Sequence, residues 1–569
     1  MIKPTLSFFT LCCNRYTAFL AFLLAYSHAL SLWGGLAPLW TSLRLEAPLL
    51  LYVYFLGNTL LKKSRWQPWL AGLPIVLAYT VADIYHMVYG RFVRVIEVTE
   101  IPELLDVLTL PYIVLIVLIG ILSSFTLLAA LDWRQWRRGL ITSLPLLALI
   151  VAIEVTPNSF LTTFQAVGRE VVDWSDANSV ANNGRLTMVA YFEGQRKNSI
   201  QKTYAFRNKQ KFIEQMNALS QQIKTSAKDR NVHLLVLESF LDPKLFAGLK
   251  FSQAPTAPAF SKLVGKTDTY SISPVFGGGT AQAEFEVLCG VPALRALSSV
   301  EFNVFTGVKT YCLPSILDDA GYQTTASNGH KPKFFNAVPA YKGTGFQNIY
   351  FPKENAPGTD TYLSTGDTEK EWYMFDGKLL SQNLAYVTKY LQEHPEKPLF
   401  NYIMSIYGHL PHYMDESVRP KFIKLLSGQN DGQKDELLEA AVNQHYYRTE
   451  AIAQYIEGLL KVDPHSLIIM VSDHVPPLAL GPDSYKKFQY MKNIAGSVYY
   501  NRIVIIENGK TMQYDTIHHY DVPKIIANYL TDGVYCRNNQ CSFVNKGLAN
   551  QTPANGLEDY MAIMAHATM

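Results

Sequence analysis

Long apolar runs dominate the first 155 residues of the chain, and a mixed pattern of charged, polar and apolar residues follows them. A helix needs about 20 apolar residues to cross the hydrocarbon core of a bilayer. Five segments approach that length, and they lie near Tyr16 to Leu36, Ala47 to Leu61, Trp66 to Tyr89, Leu108 to Leu131 and Leu140 to Ile153. The pattern therefore predicts a transmembrane domain of five helices, residues 1–155.

Basic residues in the short loops predict the orientation of these helices, because Lys and Arg are retained on the cytoplasmic side. They stand before the first span, between the second and third, and between the fourth and fifth, at Lys3, Arg15, Lys62, Lys63, Arg65, Arg134, Arg137 and Arg138. The N-terminus is then cytoplasmic. Five spans would therefore deliver everything after residue 155 outside the cytoplasm.

Two ionisable residues, Asp83 and His86, fall within the third apolar segment. Ionisable groups at membrane depth are costly and often functional. Because both residues stand near the outer end of the span, we expect them to reach lipid headgroups or water.

The rest of the chain has the pattern of an α/β protein. Residues 156–230 are predicted to form a juxtamembrane linker that ends in a leading helix, and residues 231–569 form the extracytoplasmic domain. In that domain short apolar runs, such as VHLLVLESF, PLFNYIMSIYG and SLIIMVSDH, alternate with helical patterns. This alternation is typical of a mainly parallel sheet flanked by helices, in which ligands bind at the carboxyl ends of the strands.

Composition limits the partners and the compartment. The formal net charge is only +3, and no basic run with interleaved aromatic residues indicates a nucleic-acid partner. Four of the six cysteines lie in the part predicted to be outside the cytoplasm. A bridge between Cys536 and Cys541 across a short turn is favoured, and Cys289 with Cys312 is a second pairing that competes with free buried thiols.

Two of the apolar strands end in residues that bind hard metal ions. LLVLESF presents Glu238, and LIIMVSDH presents Asp473 and His474. A single acidic residue at a strand end is more often a helix cap or a surface charge. Three coordinating groups on two strand ends of one sheet edge shift the interpretation towards a metal site.

Three glycines, residues 277–279, precede Thr280 in SPVFGGGTAQAEF. Glycine permits tight turns and close backbone approach, and the following segment predicts a helix whose N-terminus attracts anions. A threonine hydroxyl is a poor nucleophile unless a metal or a base activates it. Beside a metal site, Thr280 is predicted to attack phosphorus; without one, it would merely cap the helix.

Several other residues suit substrate binding, and they are His409, His412, His330, Lys331, Lys333 and Phe335. A histidine near a phosphoryl centre can protonate a leaving oxygen, and lysine favours phosphate as a point charge. His409 directly follows an apolar strand and is therefore predicted to be catalytic as well.

In their order along the chain, LLVLESF, GGGTAQAEF, GHLPHY, VSDH and HHYDVPKIIANYL resemble motifs of the alkaline phosphatase superfamily. Within it, the chain is similar to the lipoteichoic acid synthase and phosphoglycerol transferase branch, which joins membrane helices to a sulfatase-like domain. The resemblance implies metal ligation by Glu238, Thr280, Asp473 and His474, with Thr280 as nucleophile and His409 in the substrate site. It favours Mn²⁺, with Mg²⁺ or Zn²⁺ as alternatives.

The resemblance further implies a multi-pass enzyme of the bacterial cytoplasmic (inner) membrane that acts in cell-envelope biosynthesis. Thr280 would take the phosphoglycerol group of phosphatidylglycerol and pass it to a glycan, glycolipid or polymer hydroxyl. Two positions depart from the branch, since Phe335 stands where a tryptophan is expected and Ala337 where an arginine is expected. His330, Lys331 or Lys333 would then replace the arginine as headgroup contacts.

Two other functions stay open at this point. A phosphoethanolamine transferase has the same fold and nucleophile, and a catalytically silent membrane-anchored protein would bind lipid without chemistry. A sulfatase is disfavoured, because its nucleophile is a Cys or Ser within a Cys/Ser-x-Pro-x-Arg pattern, whereas Ala-Gln-Ala follows Thr280.

Overall fold

The computed structural model describes most of the 569-residue chain. The described residues are 14–89, 91–101, 110–172, 175–207, 209–227, 230–265, 267–298, 300–356, 363–364, 368, 370–426, 435–539, 541, 543 and 556–569. They belong to two compact units, Met1–Gln201 and Lys202–Met569.

The regular secondary structure in the described part of the first unit is helical, apart from an isolated β-bridge between Leu61 and Leu131. Its helices are α1 Arg15–Leu32, α2 Leu43–Leu60, α3 Gln67–Tyr89, α4 Leu110–Ala130, α5 Trp136–Val155, α6 Pro157–Val167, α7 Asp176–Asn183 and α8 Arg185–Phe206, the last of which ends beyond the unit. The segment predicted as a juxtamembrane linker thus contains α6, α7 and α8. The predicted boundaries after residues 155 and 230 stay predictions.

Three helices in the described part of the chain are long and apolar enough to cross a membrane, and they are Gln67–Tyr89, Leu110–Ala130 and Trp133–Val155. They coincide with the last three predicted spans, although residues 108 and 109 of the fourth lie outside the described residues. No side chain of α4 is buried within the protein, as expected for a helix whose surroundings are lipid. The first two predicted spans fall on α1 and α2, each 18 residues long, so the count of five stays a prediction.

A buried ion pair joins α3 to the start of α8. Arg185 Nε lies 2.7 Å from Asp83 Oδ2, and Arg185 Nη2 donates to Asp83 Oδ1 at 2.8 Å. The two side chains are only 2% and 0% exposed. The expectation that Asp83 reaches headgroups or water is therefore wrong, because a guanidinium that comes 102 residues later in the chain satisfies its carboxylate.

A second buried carboxylate, that of Glu46, accepts hydrogen bonds from the first turn of α8. The backbone N–H groups of Leu186 and Thr187 donate to Glu46 at 2.9 and 3.0 Å, and the Tyr79 hydroxyl donates at 2.9 Å. A negative charge is favourable at a helix N-terminus, where backbone N–H groups lack helical partners. Glu46 and Asp83 together hold the start of α8 against the membrane helices.

The second unit is an α/β domain built on one mixed sheet. Its described strands are β1 Val232–Leu237, β2 Tyr270–Ile272, β3 Gln323–Asn328, β4 Asn348–Tyr350, β5 Leu399–Met404, β6 Leu467–Ser472, β7 Tyr500–Glu507, β8 Lys510–Met512 and β9 Ile517–His518. Its helices are α9 Gln210–Ser226, α10 Pro258–Val264, α11 Thr280–Cys289, α12 Leu313–Asp319, α13 Ala337–Thr344, α14 Asp376–Glu393, α15 Glu436–Val462, α16 Pro482–Lys487, α17 Val522–Leu530, α18 Val534–Asn539 and α19 Gly556–Ala567.

The strand order is β4-β3-β5-β1-β6-β7-β2-β9, with β8 paired to β7. The first five strands in this order run parallel, and β7 runs antiparallel to both β6 and β2. Every residue of β1, β5 and β6 is buried, which is why the sequences of these strands are mainly apolar. The predicted α/β class with a mainly parallel sheet is confirmed.

One face of the sheet packs against α14 and α15. Leu235 of β1 and Ile468 of β6 belong to the same buried cluster as Leu379 of α14 and Ile452 of α15. Such alternate-residue packing fixes the register of each strand, because a shift by one residue would turn the apolar side chains to the other face. The central strands therefore end at defined positions along one sheet edge.

Both predicted disulfides are present. Cys289 is bonded to Cys312, and Cys536 is bonded to Cys541, so the alternative of free thiols is wrong. Cys289 is the last residue of α11, and Cys312 is the N-cap of α12. This bridge ties the helix that begins with Thr280 to its neighbour in the domain.

The buried Asp83–Arg185 pair generates a stability prediction. Removing one partner of a buried ion pair costs about 3–5 kcal/mol, because the other charge stays buried without compensation. Arg185→Ala is expected to lower the unfolding temperature of the detergent-solubilised protein clearly, as measured by intrinsic fluorescence. Arg196→Ala is the matched control on the same helix; it breaks a more exposed pair with Glu193 and should cost less than about 1 kcal/mol. Equal shifts for the two variants would contradict the prediction.

Candidate active site

The metal-ligand candidates come together at the carboxyl ends of two adjacent strands. β1 and β6 are hydrogen-bonded neighbours whose last paired residues are Leu237 and Ser472. Glu238 and Asp473 follow these residues directly, and His474 comes next. Carboxylate oxygens of Glu238 and Asp473 and a ring nitrogen of His474 lie within 4.8 Å of one another, and all three residues are buried.

The ring of His474 is oriented so that one nitrogen faces the two carboxylates. Nδ1 lies 3.1 Å from the carbonyl oxygen of Val475, an acceptor, so Nδ1 carries the proton and Nε2 has the lone pair. Nε2 is 3.3 Å from Asp473 Oδ2 and 3.8 Å from Glu238 Oε1. Three electron-pair donors thus converge on one buried point, which is the arrangement that a metal ion needs.

The two carboxylate oxygens of Asp473 differ in their hydrogen bonds. Oδ1 accepts backbone N–H donors from Ser239 at 2.7 Å and His474 at 2.6 Å. Oδ2 is buried and accepts no hydrogen bond within the described residues. A buried oxygen without such a partner, turned towards the imidazole and the second carboxylate, fits a metal ligand.

The electrostatics of the two carboxyls also favour a cation. Burial and the neighbouring charge of Glu238 raise the pKa of Asp473 well above its usual value. Burial opposes ionisation of Glu238 as well, but His474, His409 and hydrogen bonds from Ser239 and Thr280 outweigh it and lower the pKa of Glu238. Two buried carboxylates so close together cannot both ionise cheaply, and a divalent ion would offset both charges.

Thr280 begins helix α11 beside this cluster. Its hydroxyl donates to Glu238 Oε2 at 3.0 Å, and the residue is 8% exposed. The three preceding glycines have φ values of 67°, 155° and 86°, a region that side-chain-bearing residues rarely adopt. The glycines are thus required for the sharp turn that brings the first residue of α11 to the end of β1.

A cavity extends from Thr280 over a mixed polar and aromatic surface. Its lining residues are Glu238, Thr280, Glu284, Phe302, Asn328, His330, Phe334, Phe335, Ala337, Met404, Ser405 and Ile406. Of the predicted substrate residues, His330 and Phe335 belong to this lining, as does Ala337 at the position where an arginine is expected. The volume of this cavity is about 20 Å³, so it has room for a small polar group and is well below the roughly 300–1,000 Å³ of small-molecule sites.

The remaining predicted substrate residues do not line that cavity. Lys331 and Lys333 lie on the loop that carries His330, and Lys333 is exposed. His409 is partly buried, with Nδ1 2.8 Å from its acceptor, the Leu410 carbonyl oxygen. His412 is 1% exposed with Nδ1 3.0 Å from Gln444 Oε1, and burial lowers its pKa to about 4.

The cavity contains a carboxyl group that sequence reasoning missed. Glu284 Oε2 accepts hydrogen bonds from the hydroxyls of Tyr341 at 2.5 Å and Tyr402 at 2.6 Å, and Asn328 donates to the Tyr341 hydroxyl at 2.9 Å. Burial raises the pKa of Glu284 to about 7, although the two tyrosines act against it. The sequence does contain a signal for this residue. Glu284 comes four residues after Thr280, and residues four apart lie on the same face of a helix, so Glu284 could have been placed beside Thr280.

A family model matches the segment that contains this site. Residues 230–503 match the family model described as Sulfatase. This segment contains β1, β6, Thr280 and the three metal-ligand candidates. Sulfatases and the wider superfamily are metal-dependent, which agrees with the carboxylate–imidazole cluster at the strand ends.

A protein of Rhizobium meliloti (strain 1021), whose name refers to cyclic beta-1,2-glucan modification, is 24% identical over 265 residues, or 46% of this chain. The match spans only 38% of that relative's length. Among solved structures, the chain is similar to the phosphoglycerol transferase GacH of Streptococcus pyogenes in complex with sn-glycerol-1-phosphate. The TM-score is 0.47 at 18% identity, covering 64% of this chain and 92% of that one.

The lipoteichoic acid synthase LtaP of Listeria monocytogenes is also similar, with a TM-score of 0.44 at 18% identity, covering 61% of this chain and 81% of that one. The family match and the strand-end cluster rest on the same segment of the second unit, while the first unit supplies the apolar helices. The chain is therefore a membrane protein whose residues 230–503 match the Sulfatase family model.

Proposed function

We propose that this protein is a metal-dependent phosphoglycerol transferase that uses Thr280 as its nucleophile. Its donor would be phosphatidylglycerol, and its acceptor a hydroxyl of a glycan, glycolipid or growing polymer. The observation that carries the proposal is the 3.0 Å hydrogen bond from Thr280 Oγ1 to Glu238 Oε2. An alcohol at a helix N-terminus, in contact with a metal-ligand carboxylate, suits attack on phosphorus.

The metal would be held by Glu238, Asp473 and His474, with the Thr280 hydroxyl as the fourth ligand. When bound, a divalent ion supplies positive charge that acidifies this hydroxyl and offsets the charge of the phosphoryl group. Three oxygen ligands and one imidazole suit Mn²⁺, Mg²⁺ or Zn²⁺, and we favour Mn²⁺.

The proposed reaction has two balanced steps at phosphorus. Thr280 Oγ1 loses its proton and bonds to phosphorus, the bond from phosphorus to the diacylglycerol oxygen breaks, and that oxygen takes up a proton. An acceptor hydroxyl then bonds to phosphorus, loses its proton and releases Thr280, which is reprotonated. We assign proton transfer to His409, whose Nδ1 is held by the Leu410 carbonyl, an arrangement that leaves Nε2 for the substrate.

One end of the headgroup would enter the cavity beside Thr280. Phe335 and the neighbouring apolar side chains would cover its carbon atoms, and His330 and Glu284 would bind its polar groups. With Ala337 in place of the expected arginine, a carboxyl group is the strongest polar feature of this cavity. A glycerol hydroxyl can donate a hydrogen bond to it.

The same carboxyl supports a second candidate function, phosphoethanolamine transfer. A buried carboxylate binds an ammonium group through a charge-assisted hydrogen bond, which is stronger than one to a hydroxyl. A catalytically silent lipid-binding protein is disfavoured, because the nucleophile and all three acidic or imidazole ligands are present and adjacent.

The two disulfides and the apolar helices support the proposed location. Disulfides persist outside the reducing cytoplasm, and both lie in the second unit. We therefore propose a bacterial cytoplasmic (inner) membrane protein whose catalytic domain is outside the cytoplasm. The proposed glycan acceptor is supported by the Rhizobium relative, whose name refers to cyclic beta-1,2-glucan modification.

The assignment of Thr280 as the nucleophile is tested by detecting its covalent adduct by mass spectrometry. Full-length protein in detergent, incubated with phosphatidylglycerol and Mn²⁺, is expected to gain one phosphoglycerol group on the peptide that contains Thr280. Thr280→Ala should show no adduct and release diacylglycerol at least about 1,000-fold more slowly, because the attacking atom is gone. Thr280→Ser is the matched control and should form the adduct on the new hydroxyl. Equal diacylglycerol release by the wild type and Thr280→Ala would refute the assignment.

Metal removal should lower both turnover and stability. A ligand that binds only the folded protein stabilises it by an amount that grows with the logarithm of the ratio of free ligand to Kd. EDTA is therefore expected to reduce the unfolding temperature of the wild type as well as adduct formation. Titration with Mn²⁺, Mg²⁺ and Zn²⁺ then identifies the ion that restores both. In Asp473→Asn, EDTA should no longer shift the unfolding temperature. An EDTA shift of wild-type size in that variant would contradict the ligand assignment.

Glu284→Gln distinguishes the two donor lipids, because it removes the charge and keeps the shape. For a phosphoglycerol donor the glycerol hydroxyl can still donate to the amide oxygen of the variant, so the expected loss is about 1 kcal/mol, or roughly fivefold in kcat/KM. For a phosphoethanolamine donor the loss of a charged hydrogen bond should exceed about tenfold. We expect the wild type to prefer phosphatidylglycerol, and we expect kcat/KM for this lipid to be only severalfold lower in the variant. A wild-type preference for phosphatidylethanolamine that Glu284→Gln abolishes would establish the second candidate instead.

A further inference from the structure

A second cavity, of about 300 Å³, lies in the second unit and shares no lining residue with the cavity beside Thr280. The loop after β1, helices α10 and α15, and strands β2 and β7 contribute its walls. Its volume is at the lower end of the range of small-molecule sites, about 300–1,000 Å³. The donor chemistry proposed above makes no use of it.

Opposite charges balance in the lining of this cavity. Lys244 and Arg502 are its cationic side chains, and Asp242 and Asp268 are its anionic ones. Arg502 Nη1 lies 3.0 Å from Asp268 Oδ1 and 4.0 Å from Asp242 Oδ2. A phosphate would face two carboxylates, and an ammonium group would face two cations. The charge distribution therefore favours a neutral ligand.

The lining also contains uncharged groups that both donate and accept hydrogen bonds. His445 is 3% exposed, and its Nε2 lies 3.3 Å from the hydroxyl oxygen of Thr256. Burial lowers the pKa of His445 well below its usual value, as do the charges of Arg448, Lys244 and Arg502, so its imidazole is neutral. A neutral imidazole has one donor and one acceptor nitrogen, and each hydroxyl of Thr256 and Ser261 can do both. These groups suit a ligand rich in hydroxyls.

Aromatic rings, together with Leu245 and Val264, form the apolar part of the same cavity. Phe240 and Phe260 have ring centroids 6.2 Å apart, and both line it together with Tyr270. A sugar ring has apolar C–H faces and a polar rim of hydroxyls. A wall of aromatic rings beside charged and hydroxyl-bearing groups matches both parts of such a ligand.

We infer that this cavity binds one neutral saccharide unit, and that this unit belongs to the glycan acceptor of the transfer reaction. The first statement stands on the cavity itself, whereas the second rests on the proposed function. Phosphate, glycerol phosphate and other anions are not its ligands.

The cavity lies close enough to the candidate active site for such a role. Phe240 lines the cavity and follows Glu238 by two residues, a separation of at most about 7 Å between Cα atoms. The Arg448 guanidinium carbon is 5.1 Å from the centroid of the Phe240 ring, and Arg448 Nη2 donates to Ser405 Oγ at 3.3 Å. Ser405 lines the cavity beside Thr280. Three side chains, those of Phe240, Arg448 and Ser405, therefore connect the second cavity to the cavity beside Thr280.

Binding is tested on the full-length protein in detergent, with glucose, a glucose trisaccharide and glucose 6-phosphate as probes and saturation-transfer NMR as readout. Ser261→Trp fills the cavity from α10, whereas Lys262→Trp adds the same side chain at the adjacent exposed position, which is not part of the lining. The wild type and Lys262→Trp are expected to bind the trisaccharide equally. Ser261→Trp should bind it at least tenfold more weakly, and glucose 6-phosphate should bind the wild type more weakly than glucose.

Three results would overturn the inference. They are no saccharide binding by the wild type, unchanged binding by Ser261→Trp, and tighter binding of glucose 6-phosphate than of glucose. Asp242→Asn, which preserves the shape of the cavity, should weaken trisaccharide binding severalfold and guards against a folding defect in Ser261→Trp. Unchanged binding in Asp242→Asn would also count against the site.

Failure of the transfer function can be told apart from failure of the inference. If the wild type forms no adduct on Thr280 but binds the trisaccharide in a Ser261-dependent way, the proposed function fails and the saccharide site stands. If Ser261→Trp forms the adduct and passes it to the trisaccharide as fast as the wild type does, the acceptor assignment is wrong. We expect Ser261→Trp to form the adduct normally and to transfer it at least tenfold more slowly.

Discussion

The candidate active site depends on an electrostatic conflict between two carboxyl groups at the ends of adjacent strands. Glu238 and Asp473 are both buried, and their oxygens lie within 4.8 Å of each other and of a His474 nitrogen. Such a group of electron-pair donors is stable only with a proton or a cation among them. The hydrogen bonds from the Ser239 and His474 backbone to Asp473 orient the group but supply no full positive charge.

Other parts of the second unit hold that cluster in place. Parallel pairing of β1 with β6 sets the two strand ends side by side, and the glycine turn sets the Thr280 hydroxyl against Glu238. The disulfide from Cys289 ties the far end of α11 to α12, so the helix is restrained at both ends. If Thr280 is the nucleophile, as we propose, this framework holds it in place before the substrate binds, which would favour attack at phosphorus.

The buried carboxylates of the two units differ in how fully the protein satisfies them. In the first unit, Asp83 has its own guanidinium partner in Arg185, and Glu46 receives backbone donors from α8. These carboxylates are satisfied by the protein and hold helices together. The carboxylates of the strand-end cluster are satisfied only in part, because one Asp473 oxygen accepts no hydrogen bond within the described residues. That difference distinguishes a group that stabilises the fold from one suited to bind an ion.

The sequence alone determined the elements that follow from local pattern. Unbroken apolar runs required buried strands, long apolar runs required helices, and three glycines before Thr280 required a turn that other residues cannot make. Residues at the ends of parallel strands could be paired in advance, because all such ends meet at one sheet edge. Tertiary structure decided which distant side chains meet. Only the tertiary structure shows that Asp83 pairs with Arg185 and that Tyr341 and Tyr402 donate hydrogen bonds to Glu284. Only the tertiary structure brings together the five elements that line the second cavity. Such contacts join residues far apart in the chain, and their geometry comes from packing, which no periodicity in the sequence encodes.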